Sequence, residues 1–194
     1  PAPALEDINN DGDPDMFVGT SDGTIMYFEN TGTPTSPTFA ARTGTNNPMN
    51  SHHSGTFAAP TLKDINGDGD FDMFVGTQVG NILYYENTGT PSNPIFASKT
   101  PMSGLAVSGS ALGRPVLRDI DGDKDFDMFV GVLDGIIMYF ENTGTSTSPS
   151  FTQRLGENNP MDSYGKLDTE QIASPTIDSE TGVIMVVGYN DKLR

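Results

Sequence analysis

The sequence contains no cysteine and no tryptophan, and only two of its 194 residues are histidine. The absence of cysteine excludes disulfide bonds, thiol catalysis and zinc sites built on thiolates. The sequence also lacks an apolar run of about 20 residues, the length that a transmembrane helix requires. Hydrophobic residues make up 35% of the chain, which is enough for a core in a protein of this size. Stability must therefore come from that core and from non-covalent contacts or bound ions.

Basic residues are scarce. The chain has ten Lys and Arg residues and 26 Asp and Glu residues, which gives a formal net charge of −16. Such acidity argues against nucleic acid and against anionic membranes, which attract basic proteins. Half of the acidic residues, thirteen Asp, lie in three short loops. We therefore predict no nucleic-acid partner and no direct membrane insertion, and we attribute most of the acidity to local metal binding.

The three acidic loops are each nine residues long, and every odd position carries an oxygen-bearing side chain. The loops are Asp7–Asp15, Asp64–Asp72 and Asp119–Asp127. This alternation lets a tight loop turn several oxygens toward one point, and Ca2+ takes six to eight oxygen ligands at roughly 2.3–2.6 Å. Without a cation, the carboxylates of so short a loop repel each other. The loops therefore predict three calcium sites.

An EF-hand begins with a similar pattern, but it requires a bidentate Glu at position 12 and a helix on each side. Position 12 is Val18, Val75 and Val130 in the three loops, within apolar Met-Phe-Val-Gly segments. The Gly-Gly-x-Gly-x-Asp repeat of calcium-binding β-helices is also absent. What remains is a calcium loop that joins two β-strands.

The loops belong to a longer repeat with periods of 57 and 55 residues. A Pro-x-Leu-x-Asp segment precedes each loop, and an aromatic segment such as Ile25–Asn30 and a Pro-x-Phe segment follow it. Short apolar segments separated by Gly, Asn and Pro turns, without helical periodicity, predict an all-β fold. A unit of about 56 residues with four short strands is typical of one β-propeller blade.

We predict β-propeller-type blades of four antiparallel strands, with three full blades plus a partial fourth. The predicted blades are 1–59, 60–114 and 115–174, each with a calcium loop, and 175–194, without one. In the last of these, Pro175–Asp178 and Val183–Gly188 match the first two strands of the repeat, but the shortened loop between them keeps only Asp178 and Glu180. We therefore predict no comparable calcium site there.

These residues resemble the FG-GAP or VCBS repeat, the unit of the integrin-α-type β-propeller. The shared motif is the Asp-x-Asn/Asp-x-Asp loop, the Phe-Val-Gly strand after it and the Glu-Asn-Thr-Gly ending, present in three copies. The resemblance implies that loop positions 1, 3, 5 and 9 bind Ca2+ through side chains and position 7 through its backbone carbonyl. The implied ligands are Asp7, Asn9, Asp11, Asp13 and Asp15; Asp64, Asn66, Asp68, Asp70 and Asp72; and Asp119, Asp121, Asp123, Asp125 and Asp127.

The third loop differs from the other two at two positions. Lys124 stands where the others have Gly12 and Gly69. If that position needs a positive φ, a residue other than Gly costs on the order of 1 kcal/mol there. Asp121 in place of Asn adds one negative ligand, so the sequence does not rank the affinity of this site.

The function expected from the resemblance is a non-enzymatic module for adhesion or recognition, which binds a protein or glycan through blade-connecting loops. Since Ca2+ is abundant outside cells, where weak loops are filled, we expect an extracellular or cell-surface location. The sequence shows no nucleophile with an oriented base, so catalysis is not expected unless this chain is an accessory domain of a hydrolase. His52 and His53 are interpreted as residues of a solvated loop rather than a metal pair.

A second function belongs to a different class. The partial fourth blade suggests a structural subunit of a surface filament, in which strand exchange with a neighbouring copy completes the blade. Because the chain begins with Pro1 rather than Met, we also expect it to be a piece of a longer protein.

Overall fold

The computed structural model describes residues 2–98, 105, 107, 114–132, 135–162, 171–177 and 184–190. This described part of the chain contains fourteen β-strands and two short 3-10 turns, Gly44–Asn46 and Gly156–Asn158. None of its helices is long and apolar enough to cross a membrane.

The strands form four antiparallel sheets, and in each sheet neighbouring strands follow each other along the chain. The first sheet consists of β1 (Ala2–Glu6), β2 (Asp15–Gly19), β3 (Ile25–Asn30) and β4 (Phe39–Arg42). The second consists of β5 (Ala59–Lys63), β6 (Asp72–Gly76), β7 (Ile82–Asn87) and β8 (Phe96–Ser98). The third consists of β9 (Pro115–Arg118), β10 (Asp127–Gly131), β11 (Ile137–Asn142) and β12 (Phe151–Arg154). The fourth has two strands, β13 (Gln171–Ile177) and β14 (Ile184–Asn190).

The predicted all-β fold with three four-stranded blades and a partial fourth is confirmed. Each blade is an up-and-down meander in which the acidic loop joins the first strand to the second. The four sheets are open and do not close into a complete propeller within the described residues. The predicted repeat boundaries stay predictions, and the shortened loop with Asp178 and Glu180 lies outside the described residues.

The second strand of each blade explains how neighbouring sheets pack. Successive residues of a strand point to opposite faces. Phe74 of β6 lies in the core shared with the third sheet, whereas Met73 and Val75 lie in the core shared with the first. All residues of β6 and β10 are buried, whereas Met16 and Val18 of β2 are half-buried. The apolar Met-Phe-Val segment is thus packed on both faces in the second and third blades.

The aromatic residues of the third strand complete these cores. In each blade a Phe of the second strand and a Tyr of the third are direct partners in the antiparallel register, and their rings lie in contact. The ring centroids are 4.7 Å apart for Phe17 and Tyr27, 5.0 Å for Phe74 and Tyr84, and 4.9 Å for Phe129 and Tyr139. Tyr27, Tyr84, Tyr85, Tyr139 and Phe140 are all buried, and Phe28 is half-buried.

A histidine connects the first two blades. The Nε2 atom of His52 lies 2.7 Å from the carbonyl oxygen of Phe96 at the start of β8. Its ring also packs edge-on against Tyr85, with centroids 5.0 Å apart. The interpretation of this residue as part of a solvated loop was therefore wrong for His52, which is half-buried, whereas His53 is exposed.

Candidate functional site

The second and third acidic loops share one hydrogen-bonded frame, and in the first loop Asp7 accepts the backbone N–H groups of Asp11 and Gly12 instead. The carboxylate of Asp64, at position 1, accepts hydrogen bonds from the backbone N–H of Gly67 at 2.7 Å and of Gly69 at 3.0 Å. The carboxylate of Asp119 accepts equivalent bonds from Gly122 and Lys124 in the third loop. Backbone N–H groups that point at a carboxylate hold it in one orientation. The first residue of each loop is therefore fixed by the loop that it starts.

Positions 3 and 5 form consecutive Asx turns. Asn66 Oδ1 accepts the N–H of Asp68 at 3.1 Å, and Asp68 Oδ1 accepts the N–H of Asp70 at 2.9 Å. The first and third loops repeat both bonds. A carboxylate has about four lone-pair positions on its two oxygens, so these bonds leave acceptor capacity for a cation.

The residue at position 9 is buried, unlike the other oxygen-bearing residues of the second loop. Asp72 is 0% exposed. Its Oδ1 accepts the N–H of Asn87 at 2.8 Å, and its Oδ2 accepts the hydroxyl of Tyr84 at 3.1 Å. Burial raises the pKa of Asp72 to about 6, although the two hydrogen bonds oppose the shift. The end of the loop is thus anchored to the third strand of its own blade.

The same anchor recurs in the other two blades. Asp15 accepts hydrogen bonds from Asn30 N at 2.7 Å and from the Tyr27 hydroxyl at 2.9 Å. Asp127 accepts them from Asn142 N at 2.8 Å and from the Tyr139 hydroxyl at 3.0 Å. The role of these tyrosines and asparagines was not predicted from the sequence. They could have been found, because they stand 12 and 15 residues after position 9 in every repeat.

The same asparagines also shape the turn after the third strand. Asn142 Oδ1 accepts the N–H of Gly144 at 3.0 Å and of Ser150 at 2.9 Å. Asn30 and Asn87 make the equivalent pairs of bonds. One side chain thus closes the turn, and its backbone N–H holds the buried carboxylate of the acidic loop.

Position 7 carries the least satisfied oxygen of the second loop. Asp70 Oδ1 is shielded from solvent and has no hydrogen-bond partner in the described part of the chain. In the third loop, burial raises the pKa of Asp125 to about 6, and the carboxylate of Asp123 adds to the shift. A buried anionic oxygen without a donor is costly, and the positive charge of a cation bound in the loop would reduce that cost. The residues present therefore fit a hard metal ion.

The third loop brings three carboxylates together. One carboxylate oxygen from each of Asp119, Asp121 and Asp123 lies within 4.8 Å of the other two. Two oxygens that share a Ca2+ ion at roughly 2.3–2.6 Å are at most about 5 Å apart, so this spacing suits a single ion between them. The first two loops have Asn at position 3, and the described residues contain no second carboxylate trio of this kind.

Backbone angles confirm the requirement suspected at position 6. Gly12 and Gly69 both have φ of 93°, and Lys124 has φ of 77°. These values lie in the left-handed region, which favours glycine. Lys124 therefore holds a strained backbone conformation in the same place where the other loops use glycine.

A comparison with known families agrees with this architecture. The sequence profile of the FG-GAP-like repeat matches residues 7–75 and 64–130, and the two matches together cover more than half of the chain. Each match extends from one acidic loop to the second strand of the following blade. A search of curated proteins finds no match. This chain belongs to the FG-GAP-like repeat family.

Proposed function

We propose that the chain is a calcium-binding, non-enzymatic module of an extracellular or cell-surface protein, which recognises a protein or glycan through its blade-connecting loops. FG-GAP repeats are found in β-propeller modules for adhesion and recognition, are generally non-enzymatic, often bind calcium and usually occur in extracellular or surface proteins. The observation that carries the proposal is the convergence of three carboxylates within 4.8 Å in the third loop.

The proposed ligands are those that the resemblance implies, with side chains at positions 1, 3, 5 and 9 and the carbonyl of position 7 in each loop. A bound Ca2+ ion would neutralise part of the local negative charge. It would also join the start of the loop to the buried Asp at position 9. We therefore assign the ion a structural role, in which it stiffens the connection between the first two strands of each blade.

A polar groove supports the recognition part of the proposal. It has a volume of about 390 Å3 and lies between the first and second blades. The residues that line it include Asn9, Glu29, Arg42, Asn46 and Asn93. Arg42 Nε donates to Glu29 at 2.6 Å, while amide groups offer both donors and acceptors. Such a surface suits a hydroxyl-rich ligand such as a glycan.

The position of the groove connects recognition with metal binding. Asn9 lies in the groove and stands at position 3 of the first acidic loop. If Ca2+ orders that loop, one wall of the groove depends on the ion. Ligand binding is then expected to weaken when calcium is removed, without any direct contact between ion and ligand.

Two experiments test the proposal. Calorimetric titration of the calcium-free protein with Ca2+ should show three sites. Excess chelator should lower the melting temperature of the calcium-loaded protein sharply. Unchanged stability in chelator would overturn calcium binding. For recognition, the calcium-loaded protein is applied to a glycan array, and any glycan bound is tested against Asn93→Ala. Ser148→Ala is the matched control, because Ser148 pairs with Thr145 in the third blade as Asn93 pairs with Thr90 in the second, and Ser148 does not line the groove.

The filament alternative stays a prediction. Electron microscopy of the protein in calcium separates the two functions. Regular filaments with a continuous β-contact at the fourth sheet would favour the structural subunit. Dispersed particles that bind a glycan or protein saturably would favour the recognition module.

A further inference from the structure

The first strands of the four sheets surround a second cavity, distinct from the groove between blades. Residues of β1, β5, β9 and β13 line it, and its volume is about 390 Å3. That volume lies near the lower end of the range for small-molecule sites, which is roughly 300–1,000 Å3. The cavity is therefore large enough for a small organic ligand.

The charge of this cavity is opposite to that of the protein. Lys63, Arg114 and Arg118 line it together with a single carboxylate, Glu6. Three cations against one carboxylate leave a net of two positive charges, in a chain whose formal charge is −16. Three of the ten basic residues of the chain thus meet at one cavity.

Arg114 is held in place by one edge of its guanidinium group. Its Nε donates to the Thr61 hydroxyl at 3.2 Å, and that hydroxyl donates to the carbonyl oxygen of Pro115 at 2.6 Å. Burial lowers the pKa of Arg114, and the charge of Glu6 opposes the shift. The described residues supply no hydrogen bond to its two terminal nitrogens. The donor edge that matches a carboxylate or phosphate is therefore free among these residues.

Lys63 provides a second cation. Its Nζ lies 4.2 Å from the ring centroid of Phe126, which also lines the cavity. This cation–π contact positions the ammonium group. It is not a hydrogen bond, so it does not occupy the N–H donors of Lys63. Within the described part of the chain, Lys63 makes no ion pair.

The cations have a plain alternative role, which is to offset the acidic loops. Lys63 and Arg118 immediately precede position 1 of the second and third loops. Arg114 does not, because it stands before β9, five residues from Asp119. Neutralisation of an acidic loop therefore accounts for Lys63 and Arg118 better than it accounts for Arg114.

We propose that this central cavity binds a small organic oxyanion, a carboxylate or phosphate group, with Arg114 as its bidentate donor and Lys63 as the second cation. Glu6 faces the same cavity and can accept a hydrogen bond from a hydroxyl group of the ligand. The expected class is a small hydroxylated acid or phosphate ester. This site is separate from the proposed glycan groove and does not depend on it.

The test uses two probes, lactate for the carboxylate and glycerol 3-phosphate for the phosphate. Each is titrated into the calcium-loaded protein by calorimetry at low ionic strength, where charge interactions are least screened. Arg114→Gln should weaken binding about tenfold or more, because a charge-assisted hydrogen bond is lost. Arg154→Gln is the matched control, since it makes the same charge change at a residue paired with Glu141 outside the cavity.

Each outcome decides the proposal. Saturable one-to-one binding of either probe, lost in Arg114→Gln and retained in Arg154→Gln, supports it and identifies the preferred anion. No saturable binding of either probe, or equal weakening in both variants, overturns it. Thermal unfolding checks that Arg114→Gln is folded, and Lys63→Gln replaces it if it is not. If neither variant folds, these cations are structural and the proposal falls.

Discussion

Tyr84 donates its phenolic hydrogen to Oδ2 of Asp72 across 3.1 Å, and both residues are buried. The bond joins the third strand of the second blade to the last residue of its acidic loop. The other oxygen of the carboxylate accepts the backbone N–H of Asn87 at the end of the same strand. The pair thus connects the folding of a blade with the shape of the loop that it carries.

Tyr84→Phe removes this bond and leaves the ring in the core. The free energy of unfolding should fall by about 1.5–3 kcal/mol, since a hydrogen bond to a buried charged group is lost. Tyr85→Phe is the control, because Tyr85 is also buried and its hydroxyl has no hydrogen bond among the described residues. Urea unfolding measures both variants. Equal losses would show that the bond between Tyr84 and Asp72 contributes nothing specific.

Lys124→Gly should stabilise the protein, because glycine relieves the left-handed backbone at φ of 77°. The expected gain is about 1 kcal/mol. Lys124→Ala separates the backbone effect from the loss of the charged side chain, since alanine keeps the strain. Thermal unfolding of the two variants provides the comparison. A gain of the same size in Lys124→Ala would attribute the effect to charge instead of backbone conformation.

The sequence was sufficient for the features that repeat locally. The strand pattern around Phe74 and the loop from Asp64 to Asp72 were both identified, because each needs only near neighbours along the chain. The strain at Lys124 was also foreseen, since two glycines at the same loop position signalled a positive φ. Local periodicity carries this information because each blade folds largely on itself.

The features that could not be predicted from the sequence depend on contacts between blades. His52 lies 44 residues from Phe96 in sequence, and no repeat supplies a second copy of it. The bond between Arg114 and Thr61 likewise joins the residue just before β9 of the third sheet to β5 of the second sheet. Such pairs follow from how the sheets stack, and composition or spacing does not determine that stacking.

His52→Ala tests the connection between the first two blades. The loss of the hydrogen bond to Phe96 and of the ring contact with Tyr85 should lower the free energy of unfolding by about 1–3 kcal/mol. His53→Ala is the matched control, because the neighbouring ring is exposed. Urea unfolding again measures both. A loss of stability in His53→Ala as large as in His52→Ala would contradict the assignment.

Asp68→Asn tests whether each loop is an independent calcium site. Asn can keep the turn in which the side chain of residue 68 accepts the N–H of Asp70 at 2.9 Å, but it removes one negative ligand. The affinity of the second site should fall about tenfold or more, since ligand charge sets calcium affinity. The other two sites should bind as before, because the loop hydrogen bonds stay within each blade.

Calorimetric titration with Ca2+ measures the number and affinity of sites in this variant. Asp162→Asn is the control, because it makes the same charge change at an exposed residue outside the loops. Three sites weakened together by Asp68→Asn, but not by Asp162→Asn, would mean that the blades bind calcium cooperatively. That result would replace the picture of three self-contained loops with one in which packing between the sheets transmits the effect of each ion.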